Sequence, residues 1–514
     1  MRQVAWCYVC AALMLLVLAV GHTAPAATYC VATDGDDSGP GTEARPWKTL
    51  QKAASAVQPG DTVRIRPGEY FVGPTWRVGR AGTAERPITY QAHGDGEVRI
   101  TAARVLPAEG WTHVKDKVYS TPIRETAMAV FRGDLPLHGP GERAKIFAVA
   151  DLIPNSFFVS GQTLYVWLAD GSNPKDSVMR AAPGHVVSLY DCHYTVFDGL
   201  TVEYGFNGIK DQGKATHHIT IRKCTIRTIA SQGIQPVARD CMIEGNLFQK
   251  IGSNKYEHGI YGSRPGTIIR NNVFEEIAGA GIHQYHQGDP PAGGECEFYG
   301  NVFRKPRKMT TRTGGSGGGY YLDIIAWGQG GNRIYNNLFY GEGKRGGISL
   351  NSVDNLVACN TFVGSTYGVG FHKGKAGNRV LNNLFQDAVR PFIAWPADAL
   401  PQTVDYNLYH NTGGAGRWER GGVAYREFRA YQGASGEAHS LLADPRLARP
   451  SDARPKAGSP AIDAGVPLKE VGTDLEGVAR PQGAACDLGA YEHRTAKPGS
   501  APPGPGAAAP EAAK

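Results

Sequence analysis

A short pattern of apolar, polar and aromatic positions recurs along the second half of the chain. Seven times an apolar residue stands three positions before an asparagine, and an aromatic residue stands two positions after it. The asparagines, at spacings of 26, 29, 36, 23, 23 and 24 residues, are Asn246, Asn272, Asn301, Asn337, Asn360, Asn383 and Asn407. Cys224 and, more loosely, Gly199 fit the same column one and two steps earlier. The unit stays constant while the number of residues between units varies, which indicates stacked coils with loop insertions.

The units themselves predict strands and turns. They are short, rich in β-branched and aromatic residues, and bounded by Gly and Asn, which is not a helical pattern. Strands of adjacent coils would stack about 4.8 Å apart, so the asparagine amides would hydrogen bond from coil to coil as buried polar groups. A second column marks a bend followed by an interior residue, at Gly208-Ile209, Gly233-Ile234, Gly259-Ile260, Gly281-Ile282, Gly347-Ile348 and Gly368-Val369.

Both ends and one internal segment depart from the repeat. Residues 49–57 predict a short amphipathic helix that covers the open end of the solenoid. Residues 105–185 fit the repeat poorly and predict a small antiparallel β insertion. The predicted division is a cap with first coils at 28–104, the insertion at 105–185, coils at 186–440 and a C-terminal coil or cap at 441–494. The predicted fold class is therefore all-β: a right-handed parallel β-helix solenoid with an N-terminal capping helix and a small antiparallel insertion.

Two further stretches resemble a known group of proteins. The first is TLQKAA at 49–54, leading to PGDTV at 59–63 and PGEY at 67–70; the second is SPAIDAG at 459–465, followed by DLGAYE at 487–492. With the repeat, they make residues 28–493 resemble the pectin-lyase-like superfamily of right-handed parallel β-helix proteins. The resemblance implies the fold and an exported, often bacterial, carbohydrate-active protein. Such families often use Lys, Arg and calcium, but no acidic cluster here is specific enough to assign calcium.

The N-terminus and the composition indicate export. Residues 1–27 combine Arg2, an apolar run at 11–20 and small residues at 24–27, which predicts a signal peptide and a secreted or periplasmic protein. Seven cysteines follow it, and their odd number without close pairs disfavours a disulfide framework or a zinc site. Residues 495–514 are rich in Pro, Ala and Gly, which predicts a disordered tail. A net charge of +7 is compatible with a polyanionic substrate but is weak evidence for one, because a solvated basic surface is commoner.

Strand alternation predicts which side chains face outward from the Gly-Ile column. One outward column contains Lys210, Gln235, Tyr261, His283, Ser349 and Gly370, and two positions further along stand Ser263, Tyr285, Asn351 and His372. We expect residues 319–323 to form the coil between His283 and Ser349, which would add Tyr321 and Asp323. Such a polar and aromatic face suits an extended sugar chain, although a solvated sheet face also contains Tyr and Ser.

The densest group of candidate catalytic residues is His258, Tyr261 and His283. Tyr261 and His283 should be neighbours in adjacent coils, and a His–Tyr pair can exchange protons with a substrate. His258 fits a core or turn histidine nearly as well. The predicted substrate-binding residues are Lys210, Tyr285, His286, Lys308, Arg312, Tyr321, Asp323 and His372, and no metal ligands are predicted. Lys308 and Arg312 belong to a basic, Gly-rich insertion that could cover the groove and hold carboxylates, or could be a loop without a ligand.

These candidates favour a polysaccharide lyase acting on uronic-acid polymers by β-elimination. His283 or His258 would be the base, Tyr261 the acid, and Arg312 or Lys308 the partner of the substrate carboxylate. A glycoside hydrolase is the alternative enzyme, with Glu257, Asp211 and Asp323 as candidate carboxylates. A carbohydrate-binding surface protein without turnover is the third possibility. In each case we expect a polysaccharide partner, with acidic sugars favoured, no nucleic acid, no membrane contact after signal removal, and a monomer.

Overall fold

The computed structural model describes residues 25–141, 144–285, 294–305, 323–343, 346–365, 367–372, 374–388, 392–396, 401–412, 417–449 and 451–494. Three long sheets run along this part of the chain, and each coil contributes one strand to each sheet. Most of the predicted signal peptide and the predicted tail lie outside the described residues. Among the residues that the structure describes, no helix is long and apolar enough to cross a membrane.

The first sheet is parallel throughout and has twelve strands. Its strands are β1 (Thr28–Val31), β2 (Thr62–Ile65), β5 (Ile88–Ala92), β16 (His193–Asp198), β19 (His217–Arg222), β22 (Met242–Glu244), β25 (Ile268–Arg270), β28 (Glu297–Tyr299), β31 (Arg333–Tyr335), β34 (Leu356–Ala358), β37 (Arg379–Leu381) and β40 (Thr403–Asp405).

The second sheet follows the first after a tight turn in most coils, and it also has twelve parallel strands. These are β3 (Gly68–Phe71), β6 (Val98–Thr101), β17 (Thr201–Glu203), β20 (Thr225–Ile229), β23 (Leu247–Ile251), β26 (Val273–Glu275), β29 (Val302–Arg304), β32 (Leu338–Tyr340), β35 (Thr361–Val363), β38 (Leu384–Gln386), β41 (Leu408–His410) and β44 (Leu441–Leu442).

The third sheet contains the predicted Gly-Ile column. Its strands are β4 (Trp76–Val78), β15 (Val187–Leu189), β18 (Ile209–Asp211), β21 (Ile234–Gln235), β24 (Ile260–Tyr261), β27 (Ile282–Gln284), β30 (Ile324–Gly330), β33 (Ile348–Val353), β36 (Val369–Phe371), β39 (Ile393–Trp395), β42 (Trp418–Arg420) and β43 (Val423–Tyr425). Only the last pair in this sheet, β42 with β43, is antiparallel. The Ile and Val residues of the column are all buried, as predicted.

The predicted antiparallel insertion is confirmed, and it lies within one coil, between β6 of the second sheet and β15 of the third sheet. One four-stranded sheet contains β7 (Arg104–Val105), β10 (Ala129–Arg132), β11 (Leu135–Pro136) and β14 (Met179–Ala182). The other contains β8 (Thr112–Lys115), β9 (Val118–Pro122), β12 (Ser156–Ser160) and β13 (Thr163–Trp167). Short 3₁₀ helices lie at Val149–Asp151 and Pro174–Asp176. The insertion has its own apolar core, which includes Phe157, Leu164 and Val166.

Both ends of the solenoid carry a helix. Helix α1 (Leu50–Ala56) lies where the sequence predicts it, is capped by the Thr49 side chain, and buries Leu50, Ala53 and Ala54 in the main core. A second helix, α2 (Phe428–Ser435), covers the other end by burying Phe428 and Tyr431, and the sequence analysis did not predict it. A short hairpin, β45 (Leu447–Arg449) and β46 (Asp452–Pro455), follows.

The asparagine column forms the predicted hydrogen-bonded ladder at the turn between the first two sheets. From Asn246 to Asn407, each Nδ2 donates to the Oδ1 of the next asparagine over 2.9 to 3.1 Å. The residue before each asparagine has a φ between 53° and 66°. Gly and Asn adopt this left-handed conformation most readily, which explains Gly245, Asn271, Gly300, Asn336 and Asn382 at these positions. Beneath the ladder, aromatic rings stack from Phe248 to Tyr409, with centroids 4.6 to 5.3 Å apart.

The seven cysteines of the described chain are all buried free thiols. Cys241 and Cys296 occupy the same column two coils apart, which is too far for a disulfide at the strand spacing of the sheets. Burial raises the pKa of Cys241 to about 12 and that of Cys296 to about 11, so both remain neutral core residues at pH 7.

Candidate functional site

The candidate catalytic residues meet on the outward side of the third sheet. Tyr261 is the direct register partner of His283, as predicted from the strand alternation. Their ring centroids lie 5.2 Å apart at an interplanar angle of 80°. The buried Ile260 and Ile282 on the same two strands anchor the pair to the coil interior.

The coil after His283 differs from the prediction. Residues 319–323 were expected to supply it, but β30 begins at Ile324, and His283 pairs with Ile325. The predicted pairing is wrong because the interior residue of this coil, Ile324, follows Asp323, whereas a glycine precedes the interior residue at the other positions of the Gly-Ile column. Asp323 therefore precedes the strand and is buried, and Tyr321 lies outside the described residues. Trp327, which the sequence analysis did not select, takes the outward position beyond Ile325.

His258 lies beneath this face and is held on three sides. Its backbone N–H donates to Oε1 of Gln232 over 2.6 Å, and the backbone N–H of Ala280 donates to its Nδ1 over 2.8 Å. Its Nε2 lies 3.1 Å from Nδ1 of His283. A Cβ on Gly279 would lie 2.5 Å from Nδ1 of His258, so the close approach of the two chains here requires glycine.

These contacts determine which nitrogens carry hydrogens. A backbone N–H can only donate, so Nδ1 of His258 is an acceptor and the hydrogen of the neutral ring is on Nε2. Nε2 therefore donates to Nδ1 of His283, and neutral His283 carries its own hydrogen on Nε2. Burial lowers the pKa of His283 to about 4, which keeps this imidazole neutral at pH 7.

The hydrogen-bond order revises the base role that the sequence analysis gave to His258 or His283. Both ring nitrogens of His258 are engaged within the protein, so its geometry is that of a positioning residue. Nε2 of His283 presents a hydrogen instead of a lone pair. That Nε2 atom is buried and has no hydrogen-bond partner in the part of the chain that the structure describes. A buried donor without an acceptor costs free energy, so such a group is found where a water, an ion or a functional role accounts for it.

Three aromatic side chains surround His283. The ring centroid of Tyr285 lies 5.5 Å from that of His283 and 5.7 Å from that of Tyr261. Trp327 packs edge-on against Tyr285 at 5.0 Å and is 44% exposed. Indole and phenol rings of this kind stack on the apolar faces of sugar rings while their polar edges stay hydrated.

A cavity of about 410 Å³ adjoins this group on the side of the insertion. Gln232, Gln235 and Glu257 line it from the coils, and His138 and Phe157 line it from the insertion. Gln235 occupies the outward position one strand before Tyr261 in the third sheet. The cavity therefore lies between the coils and the insertion, next to the strand that carries Tyr261.

Lys210 and His372, also predicted to bind substrate, lie at the same sheet but on opposite sides of the Tyr261–His283 group. Lys210 stands two strands before Tyr261, and burial lowers the pKa of its ammonium group. His372 follows β36, three strands beyond β27, and its Nε2 lies 2.7 Å from Oγ of Ser349. These residues could contact a long ligand but are not part of the Tyr261–His283 group. The remaining predicted binding residues, His286, Lys308 and Arg312, lie outside the described residues.

Two of the carboxylates that could serve a hydrolase, those of Glu257 and Asp211, accept hydrogen bonds from their own turns. Glu257 accepts hydrogen bonds from the backbone and side chain of both Ser253 and Asn254, which ties its carboxylate to its own turn. Asp211 points into the coil, accepts from the Gly213 backbone and the Thr216 hydroxyl, and its pKa is raised by burial. Across the described ranges, no group of three or more His, Cys, Asp or Glu side chains is arranged to hold a metal ion.

Two family models match the sequence. A Pel9A-like right-handed β-helix region matches residues 29–129, and a right-handed β-helix region matches residues 165–339. Two curated proteins match locally: the uncharacterized protein YwoF of Bacillus subtilis, 33% identical over 93 residues, and a lacto-N-biosidase of Bifidobacterium longum subsp. longum, 40% identical over 81 residues. These matches cover 18% and 15% of this chain, but only 18% and 5% of the two relatives.

Solved structures share the fold over most of the chain. The structure of XylC in complex with xylose is 12% identical, with a TM-score of 0.54 over 90% of this chain and 98% of that chain. Structures of polysaccharide lyases and of glycoside hydrolases with this scaffold also resemble it, at lower TM-scores. The likeness to the XylC structure and the two family models confirm the predicted right-handed parallel β-helix, and the family models confirm the predicted resemblance to right-handed β-helix proteins of the pectin-lyase-like kind.

Proposed function

We propose that this right-handed parallel β-helix protein is an exported enzyme that cleaves a uronic-acid-containing polysaccharide by β-elimination at Tyr261 and His283. The observation that carries the proposal is the ordered imidazole pair, which leaves the Nε2 hydrogen of His283 without an acceptor in the described chain, next to the ring of Tyr261. The local match to a lacto-N-biosidase supports carbohydrate as the substrate class.

The proposed chemistry uses the two side chains in different roles. The phenolic oxygen of Tyr261, after its own proton has passed to solvent, takes the proton from the carbon next to the uronate carboxylate. The electron pair of that C–H bond forms a carbon–carbon double bond, and the C–O bond to the leaving sugar breaks. Tyr261 then returns the proton to the leaving oxygen, so one residue is base and then acid.

His283 stabilises the charge that develops during this step. As the proton leaves, negative charge grows on the carboxylate oxygens of the substrate. A fixed N–H donor aimed at such an oxygen lowers the barrier because it is already oriented in the free enzyme. His258 holds this donor in place and does not contact the substrate itself. Lys308 and Arg312 remain the predicted partners that bring further positive charge to the carboxylate.

Hydrolysis is less well supported by the contacts of the candidate acids. A general acid needs a carboxyl group that can reach the glycosidic oxygen, whereas the Glu257 carboxylate is held by four donors in its own turn. Binding without turnover would need no proton transfer by Tyr261. Hydrolysis and binding without turnover would each give a different result in the assay described next.

The assay incubates the mature protein with a panel of uronate polymers and follows ultraviolet absorbance of the unsaturated product together with reducing ends. A lyase raises both signals, a hydrolase raises reducing ends alone, and a binding protein raises neither. We expect Tyr261→Phe to abolish both signals and Tyr425→Phe, which removes a hydroxyl near the C-terminal end of the same sheet, to leave them unchanged. Full activity in Tyr261→Phe would refute the assignment.

A further inference from the structure

A second cavity lies on a different sheet from Tyr261 and His283. It encloses about 500 Å³ between the outward side of the second sheet and the first sheet of the insertion. Its lining residues are Glu69, Phe71, Arg99, Thr101, Ala103, Arg104, Val105, Asp134, Arg180, Glu203, Tyr204, Arg227, Thr228, Gln249 and Lys250. This volume suits one or two sugar rings.

Three of the five basic side chains in this cavity are paired with carboxylates. Arg99 binds Glu69, and Arg227 donates to Glu203 over 2.7 Å and reaches Glu97 at 2.9 Å. The ammonium group of Lys250 lies 2.8 Å from Asp134. These ion pairs hold the side chains at the rim of the cavity in place, and they neutralise the carboxylates around it.

The other two basic side chains, Arg104 and Arg180, form no salt bridge within the described residues, although the charge of Arg180 helps to lower the pKa of Asp134. The guanidinium of Arg104 lies 3.7 Å from the ring centroid of Phe71, and that of Arg180 lies 4.5 Å from the ring centroid of Tyr204. Stacking on a ring holds a guanidinium in place without using its N–H donors. The Tyr204 hydroxyl donates to Asp134 over 2.7 Å, which fixes the ring beneath Arg180.

The charges around the cavity favour an anionic ligand. Together with Glu97, the lining contains five basic and four acidic groups, an excess of one positive charge. One ligand carboxylate would neutralise that excess and could accept paired hydrogen bonds from a guanidinium fork. Thr228 and the side-chain carbonyl oxygen of Gln249 supply uncharged polar groups for sugar hydroxyls, whereas the Thr101 hydroxyl bonds to the backbone of Ala103.

We propose that this cavity is a second saccharide-binding site, in which Arg104 and Arg180 bind the carboxylate of an acidic sugar unit away from the site at Tyr261. The acidic-sugar class deepens the proposed function and rests on it. A site on the second sheet would hold a distant segment or a second chain of the same polymer and so keep the enzyme on its substrate. A sulfate ester shares the anionic chemistry, and the experiment separates the two.

The test is isothermal titration calorimetry of the mature protein with trigalacturonate, in the wild type and in Arg104→Gln/Arg180→Gln. We expect the double variant to lose one class of binding site, with affinity falling at least about tenfold, the effect of a lost charge-assisted hydrogen bond. The neutral trisaccharide maltotriose should not bind there, and sodium sulfate should compete only weakly. Arg420→Gln is the matched control, because Arg420 also stacks on a ring, that of Trp395 at 4.9 Å, outside the cavity.

Unchanged binding in the double variant, or equal displacement by sulfate, would overturn the proposal. The single variant Arg104→Gln provides a second test if the double variant does not fold, since Arg104 lies at the surface on a two-residue strand. Turnover of a short uronate substrate should be the same in all these variants. Loss of binding in a protein without lyase activity would support this site while refuting elimination at Tyr261, so the two proposals fail separately.

Discussion

Nε2 of His258 lies 3.1 Å from Nδ1 of His283, and the backbone N–H of Ala280 lies 2.8 Å from the opposite nitrogen of His258. One peptide group thus sets the hydrogen positions of two imidazole rings in adjacent coils. The result is a fixed donor on His283 that does not depend on a charged partner. Its consequences can be measured in activity and in stability.

His258→Phe should reduce turnover without greatly changing substrate affinity. The substitution removes the donor to His283 and leaves the Ala280 N–H without its acceptor, while the ring volume is retained. Loss of one positioning hydrogen bond of about 1 to 1.5 kcal/mol corresponds to a fall in kcat of about tenfold. Steady-state kinetics of the variant on the polymer substrate checks this. His258→Asn, which retains hydrogen-bonding groups, should lose less, and equal kcat in wild type and His258→Phe would contradict the positioning role.

The buried His283 should make the protein less stable in acid. Its pKa is about 4 in the native protein and about 6.5 when unfolded. As pH falls from about 6.5 to about 4, the unfolded chain binds a proton that the native state does not, so the free energy of unfolding decreases; above pH 6.5 there is no change. The difference in pKa corresponds to about 3 kcal/mol.

Urea unfolding of the wild type and His283→Gln at pH 7 and at pH 4 measures this contribution. The variant should lose about 3 kcal/mol less than the wild type over the same interval. His185, whose pKa burial also lowers to about 4, contributes to both proteins and cancels in the comparison. Equal losses in the two proteins would show that His283 is not buried in the neutral form.

Asn301→Ala should destabilise the coil stack strongly. Oδ1 of Asn301 accepts from the backbone and side chain of Asn272, and its Nδ2 donates to the Ile269 carbonyl and to Asn337. The substitution leaves several buried polar groups unpaired, each costing about 1 to 3 kcal/mol, so we expect a total of about 3 to 6 kcal/mol. Urea unfolding followed by circular dichroism gives the value. Asn173→Ala, which removes only a capping bond to the Lys175 N–H, should cost about 1 kcal/mol, and similar losses in both variants would argue against a ladder.

The ladder and the Tyr261–His283 pair could be predicted because both follow from the period of the coils. An asparagine at one turn position and an isoleucine at the next bend fix the register, and the register fixes which residues are neighbours. A second ladder runs from Asn332 through Asn355 to Asn378 and ends at Gln402. It could not be predicted because three asparagines followed by a glutamine are too few to show a period in the sequence. The role of His258 could not be predicted, because it depends on where the Ala280 N–H points after the chain has bent at Gly279.

Trp327 was missed for a different physical reason. The interval between Asn301 and Asn337 is the longest in the column, and its excess residues hide where the strand begins. The interior residue Ile324 follows an aspartate, so neither the spacing nor a glycine marks it. Hydrophobicity alone would place a tryptophan in the core, whereas Trp327 is 44% exposed at the edge of the aromatic face.

Trp327→Ala should therefore weaken substrate binding more than it slows the reaction. The side chain has no group that transfers a proton, but its exposed ring can stack on a sugar beside Tyr285. Loss of one stacking contact of about 1 to 1.5 kcal/mol should raise KM for the polymer about tenfold, with kcat changed far less. Phe147→Ala is the matched control, because Phe147 is 56% exposed on the insertion and contributes no ring to this face. A larger fall in kcat than rise in KM would place Trp327 in the chemical step and would move the reacting bond from Tyr261 toward β30.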